Sequence, residues 1–227
     1  MASTPPTISS MKNILIATPC LYGKVDAYYV HSLCESIKLG LQQDFSIRSI
    51  FLASESILPM ARNELINLAY KEKYDAMVFI DDDEYWEPEC LLEVLKSPKD
   101  VVTVPVFNKG DTKIAYNINL PKTLYQDPGD GYIKADTTGT GFLKLSAKVV
   151  KDLCESSPEL AFRNKKLKVV CEYGQLAGDF VGEDITLSRK IKELGYDIWV
   201  NPNYTIKHLG VKMYKGDFKS TIIDRLK

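Results

Sequence analysis

The stretch MVFIDDDE, residues 77–84, joins four apolar residues to four consecutive acidic ones. Its apolar half is rich in β-branched and aromatic residues and predicts a short buried strand. Folding alone would not favour the acidic half, because like charges packed this closely repel one another. Mg²⁺ or Mn²⁺ would relieve the repulsion, since hard cations prefer oxygen ligands. The alternative interpretation is a solvated acidic turn that binds nothing.

The sequence on both sides of this stretch alternates between strand and helix patterns. Strands are predicted at Asn13–Thr18 (ended by Pro19), Phe45–Ala53, Ala76–Ile80 and Val101–Val106, with helices at 26–43, from Pro59, and at 88–96. This alternation implies βαβ units and a parallel sheet. Ligands of such sheets bind beyond the carboxyl ends of the strands, where Thr18, Ala53 and Asp81 arrive. The acidic residues are therefore predicted to lie at the mouth of a ligand site.

The second half of the chain predicts shorter elements. Strands are expected at 114–120, 131–135, 142–145, 167–173 and 196–200, and helices at 147–155 and 184–194. The small residues of Gly174–Gly182 predict a flexible loop, and no clear period follows His208. Because no repeat or linker divides the chain, we expect a disordered tail over 1–11 and one domain over 12–227.

Composition excludes several classes of protein. A net charge of -1 over 227 residues gives no basic excess for nucleic acid or an anionic membrane. Five cysteines, an odd number without CxxC spacing, argue against a disulfide framework or a zinc site and favour a reducing compartment. Neither a signal peptide nor an apolar run of membrane-spanning length is present, so we expect a soluble, cytoplasmic protein.

Two later positions could act together with the acidic stretch. Glu183 and Asp184 lie between a glycine-containing loop and a predicted helix, where a carboxylate can cap the helix or serve as a general base. Taken alone, capping is the simpler interpretation. His208 follows the last predicted strand; it could be structural, or could complete a metal site as a neutral imidazole.

Other candidate residues lie at predicted strand ends and helix starts. Arg62 could form a surface ion pair, contact a phosphate or hold the acidic residues. Thr18, Pro19 and Tyr22 end the first strand, a natural place for a base and ribose. The segment Gly139-Thr140-Gly141 is too short for a dinucleotide or P-loop motif, but its glycines allow close approach of backbone to a sugar. No nucleophile elbow or Cys/His pairing supports covalent hydrolase chemistry.

The order of these motifs resembles that of a known family. The chain contains, in this order, a strand that ends Thr-Pro, a helix that starts Ala-Arg-Asn, a strand that leads into Asp-x-Asp, and a Gly-x-Gly-Phe segment. Gly-Glu-Asp then precedes a helix that ends Leu-Gly-Tyr. This set is similar to that of GT-A-fold, nucleotide-sugar-dependent glycosyltransferases, in particular compact inverting members encoded by phages and large DNA viruses. The resemblance spans Asn13 to Gly210. It implies an α/β fold with a Rossmann-like mixed sheet, mostly parallel, flanked by helices, and a small antiparallel part in the C-terminal half.

The resemblance also implies a metal site. Asp83 would bind Mn²⁺ or Mg²⁺, Asp81 would bind the ribose or a metal-bound water, and His208 resembles the late metal-ligand histidine of some members. Because three aspartates are consecutive, Asp82 and Asp83 could exchange roles.

The resemblance also implies which residues would bind the substrates and act on them. Asp184 resembles the catalytic base, and Glu183 would bind acceptor hydroxyls. Thr18 and Arg62 would contact the nucleotide, and Gly139–Gly141 the donor sugar. The family's glycine- and tryptophan-rich acceptor loop has no full match here.

The function implied is a metal-dependent glycosyltransferase of the hexosyltransferase type. It would move a sugar from a nucleotide sugar, with UDP-sugars favoured, to a hydroxyl of a glycan or glycoprotein with inversion. One alternative is a sugar nucleotidyltransferase, although Thr18–Lys24 supplies only Gly23 and Lys24 of the loop that such enzymes need. Others are a non-catalytic nucleotide-sugar or carbohydrate-binding module, and a phosphotransfer domain, which would need a nucleophilic Asp near Thr18-Pro19.

Overall fold

A computed structural model describes residues 11–109, 115–210 and 215–226. The strands in these residues are β1 (Lys12–Cys20), β2 (Phe45–Ala53), β3 (Ala76–Ile80), β4 (Glu84–Tyr85), β5 (Val101–Thr103), β6 (Ile118–Asn119), β7 (Ile133–Ala135), β8 (Thr137–Thr138), β9 (Phe142–Ser146), β10 (Glu159–Phe162), β11 (Lys165–Lys168), β12 (Gly174–Leu176), β13 (Asp179–Val181), β14 (Ile198–Val200) and β15 (Lys207–His208). The helices are α1 (Ala27–Leu41), α2 (Leu58–Glu72), α3 (Pro88–Lys96), α4 (Ala147–Ser156), α5 (Glu183–Glu193) and α6 (Phe218–Leu226).

Seven of the described strands form a central sheet in the order β2-β1-β3-β9-β5-β14-β7. Strands β2, β1, β3, β5 and β14 run in one direction, and only β9 and β7 are reversed. Small antiparallel pairs, β10–β11 and β12–β13, lie in the C-terminal half. The predicted α/β fold, with a mostly parallel mixed sheet, flanking helices and a small antiparallel part, is confirmed.

Both faces of the sheet are buried, as continuous apolar strands require. Successive residues of β1 point to opposite faces, so Ile14 and Ile16 join the hydrophobic cluster under α1 and α3. Leu15 and Ala17 join the other cluster, which includes residues of α2, α4 and α5. Full burial of each large apolar side chain contributes about 1.5–3 kcal/mol, so this two-sided core holds the sheet edges in fixed positions.

Strand β1 continues past the predicted stop at Pro19 and ends at Cys20. Proline lacks an amide hydrogen, which would interrupt a strand paired on both sides. Here β1 pairs with β3 only over Ile14–Ala17, whereas its pairing with β2 continues through Pro19 and Cys20. Pro19 therefore lies where β1 has a single neighbour, and the strand tolerates it.

The sheet topology gathers several chain segments at one edge. The carboxyl ends of β1, β2 and β3 lie there because these strands are parallel. Strand β9 is antiparallel to β3, with Ile80 opposite Phe142, so the segment that precedes β9 arrives at the same edge. The amide of Asp81 donates to the carbonyl of Gly141 at 3.1 Å. Strand β15 pairs with β4 and places His208 opposite Glu84.

Several predicted elements differ in the structure. The segment Gly174–Gly182 is a β-hairpin, β12–β13, rather than a flexible loop; its turn residues Ala177 and Gly178 have positive φ angles of 52° and 91°. The strand predicted at 167–173 lies at Lys165–Lys168 instead, paired with β10. Helix α6 was not predicted, because Phe218–Leu226 carries too short an apolar pattern.

Other predictions match closely or fall partly outside the described residues. Strands β2 and β3 and helix α3 have their predicted bounds. In α1, Tyr29 and Leu33 of the predicted apolar stripe are buried, but Val30 and Leu41 are exposed. Residues 1–10 of the predicted tail and residue 114 lie outside the described part of the chain. None of the helices described has the length and apolar character needed to cross a membrane.

Candidate active site

Two adjoining clefts lie at the sheet edge where the acidic residues arrive. We name the larger, of about 480 Å³, the acidic cleft; the predicted residues that line it are Pro19, Tyr22, Asp81, Asp82, Asp83 and His208. We name the smaller, of about 240 Å³, the glycine cleft; its predicted residues are Arg62, Asp81, Gly139, Thr140, Gly141, Glu183, Asp184 and His208. Leu58, Asp81 and His208 line both clefts, so the two adjoin one another.

Thr18 is the predicted site residue that the structure keeps out of these clefts. Its side chain is fully buried, and its hydroxyl is hydrogen-bonded to the Tyr29 hydroxyl at 2.5 Å. In β1, successive side chains alternate between the two faces. The strand end thus reaches the cleft through Pro19 and the following turn, not through the Thr18 side chain.

Asp83 and His208 face each other across the rim of the acidic cleft. The Nε2 atom of His208 lies 3.2 Å from Oδ1 of Asp83, and Nδ1 of His208 lies 2.7 Å from the carbonyl oxygen of Phe107. A carbonyl oxygen can only accept, so Nδ1 carries a hydrogen and donates it. If the imidazole is neutral, Nε2 then carries no hydrogen, and its lone pair points at a carboxylate oxygen. Two acceptors in contact need a proton or a cation between them.

The chemistry of this pair fits a divalent cation. Two neighbouring ligands of an octahedral ion with bonds of about 2.1 Å lie roughly 3 Å apart, which matches the Asp83–His208 separation. A ligating histidine usually donates its other ring hydrogen to a carbonyl or carboxylate, as His208 does to Phe107. Within the described residues, no group of three or more His, Cys, Asp or Glu side chains could hold a metal unaided. Water molecules or a bound ligand would have to complete the coordination shell.

Charges around Asp83 favour its ionised form. Burial acts to raise the pKa of its carboxyl group, but contacts with His208 and Lys109 lower it below the usual value. Asp82 behaves differently, because burial and the neighbouring charge of Asp83 raise the pKa of its carboxyl group. The carboxyl group of Asp83 is therefore less readily protonated than that of Asp82.

Arg62 lies buried beneath the clefts and holds two of the acidic residues. Its Nη2 donates to Asp81 at 3.0 Å, and its Nε donates to Glu183 at 3.2 Å. The side chain is only 2% exposed, and the guanidinium lies 5.2 Å from the centre of the Phe79 ring. Burial opposes the charge, but Asp81 and Glu183 raise the pKa of Arg62 above its usual value. Of the roles predicted for Arg62, holding the acidic residues is the one that these contacts support.

Glu183 and Asp184 begin helix α5 but lie in different surroundings. Glu183 is buried against Arg62, whereas Asp184 is partly exposed and lines the glycine cleft. The Oδ1 of Asp184 accepts from the amide of Ile185 at 2.8 Å. The N-terminus of a helix interacts favourably with a negative charge, and at this position the carboxylate is partly exposed to the cleft. Glu183 therefore holds Arg62, and its role toward an acceptor hydroxyl stays a prediction.

The glycines of the Gly139–Gly141 segment are required by two neighbouring side chains. A Cβ at Gly139 would lie 2.5 Å from Nδ2 of Asn117, and one at Gly141 would lie 2.2 Å from Oε1 of Glu84. Asn117 also accepts a hydrogen bond from the amide of Val106 at 3.0 Å. These glycines let the segment pack directly on Asn117 and Glu84, a reason that the sequence pattern did not indicate.

Sequence reasoning missed two polar residues at this site. Glu84 is 1% exposed, its Oε2 has no hydrogen-bond partner in the described structure, and burial followed by the charges of Asp81 and Asp83 raises its pKa far above the usual value. Glu84 belongs to the acidic stretch, but its pairing opposite His208 of β15 joins segments that are distant in sequence. Lys109, which contacts Asp83, follows β5 in a segment without any periodic pattern or motif.

Comparisons with known proteins give a likeness in fold. No family model and no curated protein sequence matches the chain. The crystal structure of A197 from STIV superposes with a TM-score of 0.55 at 15% identity, covering 88% of this chain and 86% of that one. The chain therefore shares its fold with A197. The crystal structure of S. aureus TarS 1–349 gives a TM-score of 0.47 at 14% identity, covering 95% of this chain and 64% of that one. A TM-score at that level supports no conclusion about function.

Proposed function

We propose that the protein is a metal-dependent glycosyltransferase that moves a sugar from a nucleotide sugar, with UDP-sugars favoured, to an acceptor hydroxyl with inversion. The observation that carries the proposal is that the two clefts adjoin and share Asp81 and His208. A pair fit for a cation, Asp83 and His208, lines the acidic cleft, and the partly exposed carboxylate of Asp184 lines the glycine cleft beside it. A transferase that activates a diphosphate leaving group and deprotonates an acceptor needs these two features side by side.

The clefts suggest where each part of the donor lies. The acidic cleft, which Tyr22 and Pro19 also line, has room for a base and ribose. Asp83 and His208 would hold Mn²⁺ or Mg²⁺, with diphosphate oxygens completing the shell. The bound cation supplies positive charge to the leaving diphosphate. The sugar would then lie in the glycine cleft between Gly139–Gly141 and Asp184.

The chain's own residues supply the remaining steps. Asp184 removes the proton from an acceptor hydroxyl, whose oxygen forms a bond to the anomeric carbon. The bond from that carbon to the diphosphate oxygen breaks, and its electron pair leaves with the nucleoside diphosphate. Attack on the face opposite the leaving group inverts the anomeric configuration. Arg62 and Glu183 act beneath the site by fixing Asp81 and the start of α5.

The test is a donor screen with an activity readout. Purified protein is incubated with UDP-glucose, UDP-galactose, their N-acetyl derivatives and GDP-mannose, with Mn²⁺ or with EDTA, and released nucleoside diphosphate is measured. We expect release from one donor that EDTA abolishes. Asp83→Ala should lower that rate by about 10²–10³-fold, since it removes a group that organises charge at the leaving diphosphate.

The matched control is Asp136→Ala, which removes an exposed aspartate paired with Lys192 outside the clefts. It should retain the wild-type rate, and both variants should keep the wild-type melting temperature. Undiminished turnover by Asp83→Ala would overturn the proposal. Donor binding without any turnover would instead favour a binding module, and release of pyrophosphate from a nucleoside triphosphate and a sugar 1-phosphate would favour a nucleotidyltransferase.

A further inference from the structure

Lys109 makes a contact that the proposed reaction does not explain. Its Nζ atom forms a short ion pair with Oδ2 of Asp83, and both side chains are 37% exposed. The other oxygen of the same carboxylate faces His208. Both oxygens of the proposed metal ligand are therefore engaged, one of them by an ammonium group.

An ammonium and a divalent cation are alternatives at one carboxylate. Each is attracted by the same negative charge, and the two repel one another when they are held a few ångströms apart. A cation seated between Asp83 and His208 would lie next to the ammonium of Lys109. The lysine side chain is long and flexible, and its exposed position allows it to leave.

The remaining contacts of the site do not depend on Lys109. The Phe107 carbonyl fixes His208, and the amide of Leu209 donates to the Asp83 carbonyl at 2.7 Å. The backbone of Phe107 and Asn108 is held in turn, by a bridge to Tyr116 and by a 2.9 Å bond from the Asn108 amide to the Ala115 carbonyl. Loss of the Lys109 side chain would leave both proposed metal ligands in position.

We propose that Lys109 is a placeholder cation: it occupies Asp83 when no divalent cation is bound, must leave when one binds, and so lowers the affinity of the site for the cation. This inference rests on the proposed function, because it takes Asp83 and His208 as the metal ligands. The competing interpretation is an exposed ion pair of the common kind that contributes nothing measurable.

The experiment is a titration of the protein with Mn²⁺ alone, followed by the electron paramagnetic resonance signal of free Mn²⁺ and by calorimetry. Lys109→Met removes the ammonium but keeps a side chain of similar length. We expect it to bind Mn²⁺ roughly two- to fivefold more tightly than wild type, the range that an exposed ion pair supports. Lys109→Arg, which keeps the charge, should bind Mn²⁺ about as wild type does.

Lys207→Met is the matched control. Lys207 precedes His208 and pairs with Glu87 at 2.9 Å, so its substitution removes one positive charge from the residue next to His208 without removing a contact to Asp83. Its Mn²⁺ affinity should equal that of wild type. The inference is overturned if Lys109→Met binds no more tightly than Lys207→Met, or if Lys109→Arg gains as much as Lys109→Met; either result leaves the proposed function standing. Failure of wild type and every variant to bind Mn²⁺ would remove the metal site from the proposed function, and this inference with it.

Discussion

Two adjacent carboxylates show how the surroundings of a residue decide its role. Glu183 and Asp184 are chemically alike and share the first turn of α5. Glu183 is buried against Arg62, which leaves it little freedom to exchange protons with a substrate. Asp184 lines the glycine cleft, and one of its carboxylate oxygens accepts a hydrogen bond from the amide of Ile185. The first residue holds the site together, and the second is the one proposed to act on a substrate.

Because the two carboxylates have different roles, replacing each by its amide should affect a different property, turnover for Asp184 and stability for Glu183. Asp184→Asn should lower turnover by about 10²–10⁴-fold, the usual contribution of a general base, with little change in donor binding or in the free energy of unfolding. Glu183→Gln removes one of the two carboxylates paired with the buried Arg62, while Asp81 stays paired with it, and should lower the free energy of unfolding by about 1–3 kcal/mol. Steady-state kinetics and urea unfolding of both variants measure the two effects. Normal turnover by Asp184→Asn would place the base elsewhere.

At the scale of elements, α2 and α5 are joined through polar contacts as well as through the core. Besides the Arg62–Glu183 pair, Asn63 of α2 accepts from the amides of Val170 and Cys171, both at 2.8 Å. These contacts fix the segment that leads into the β12–β13 hairpin. The hairpin returns the chain to Gly182, the residue that immediately precedes α5 at the cleft. The position of Asp184 is therefore set by two elements that are distant in sequence.

Gly182 provides a test of how closely this start of α5 is packed. Its φ of -68° suits any residue, but a Cβ there would lie 2.6 Å from Oδ1 of Asp184. Gly182→Ala should displace the Asp184 carboxylate and lower turnover roughly tenfold or more, because small misplacements of catalytic groups are costly. The melting temperature should change little. Gly129→Ala, at a turn outside the clefts, serves as control, and equal activity of the two variants would contradict the prediction.

At the scale of the whole molecule, the centre of the sheet contains a buried lysine. Lys144 of β9 is 5% exposed and donates to the carbonyls of Ser97 at 2.8 Å and Lys99 at 2.7 Å. Burial lowers the pKa of Lys144 to about 8, although Asp100 acts in the opposite direction. Burying the protonated ammonium of Lys144 therefore costs free energy, so the stability of the fold depends on pH.

The sign of this link follows from proton binding. Between about pH 8 and 10.5 the unfolded chain keeps the Lys144 proton while the folded chain loses it, so stability rises with pH in this range. The full shift corresponds to roughly 3 kcal/mol, which is an upper bound. We expect the difference in unfolding free energy between wild type and Lys144→Met to change by up to this amount from pH 7.5 to 10. A constant difference in urea unfolding across that range would contradict the prediction.

Local patterns were enough to predict the elements of the first half and part of the site. Strands β2 and β3 and helix α3 have bounds that proline, apolar runs and charge changes mark directly. Parallel order then follows from their alternation, because a helix between two strands returns the chain to the same sheet edge. Of the residues that line the glycine cleft, Asp81 could be placed at the sheet edge from these short-range signals, whereas the roles of Gly141 and Asp184 at the same site were implied by the family resemblance.

What the amino-acid sequence determined by itself was the alternation of strands and helices and the acidic stretch at one strand end, because both depend on residues near one another in the chain. Only the tertiary structure decided the burial of Thr18 and Glu84, the capture of Glu183 by Arg62 and the contact of Lys109 with Asp83. The residues of the last two contacts are 121 and 26 positions apart. Burial and pairing over such separations depend on the folded arrangement of the sheet. Local periodicity does not predict that arrangement.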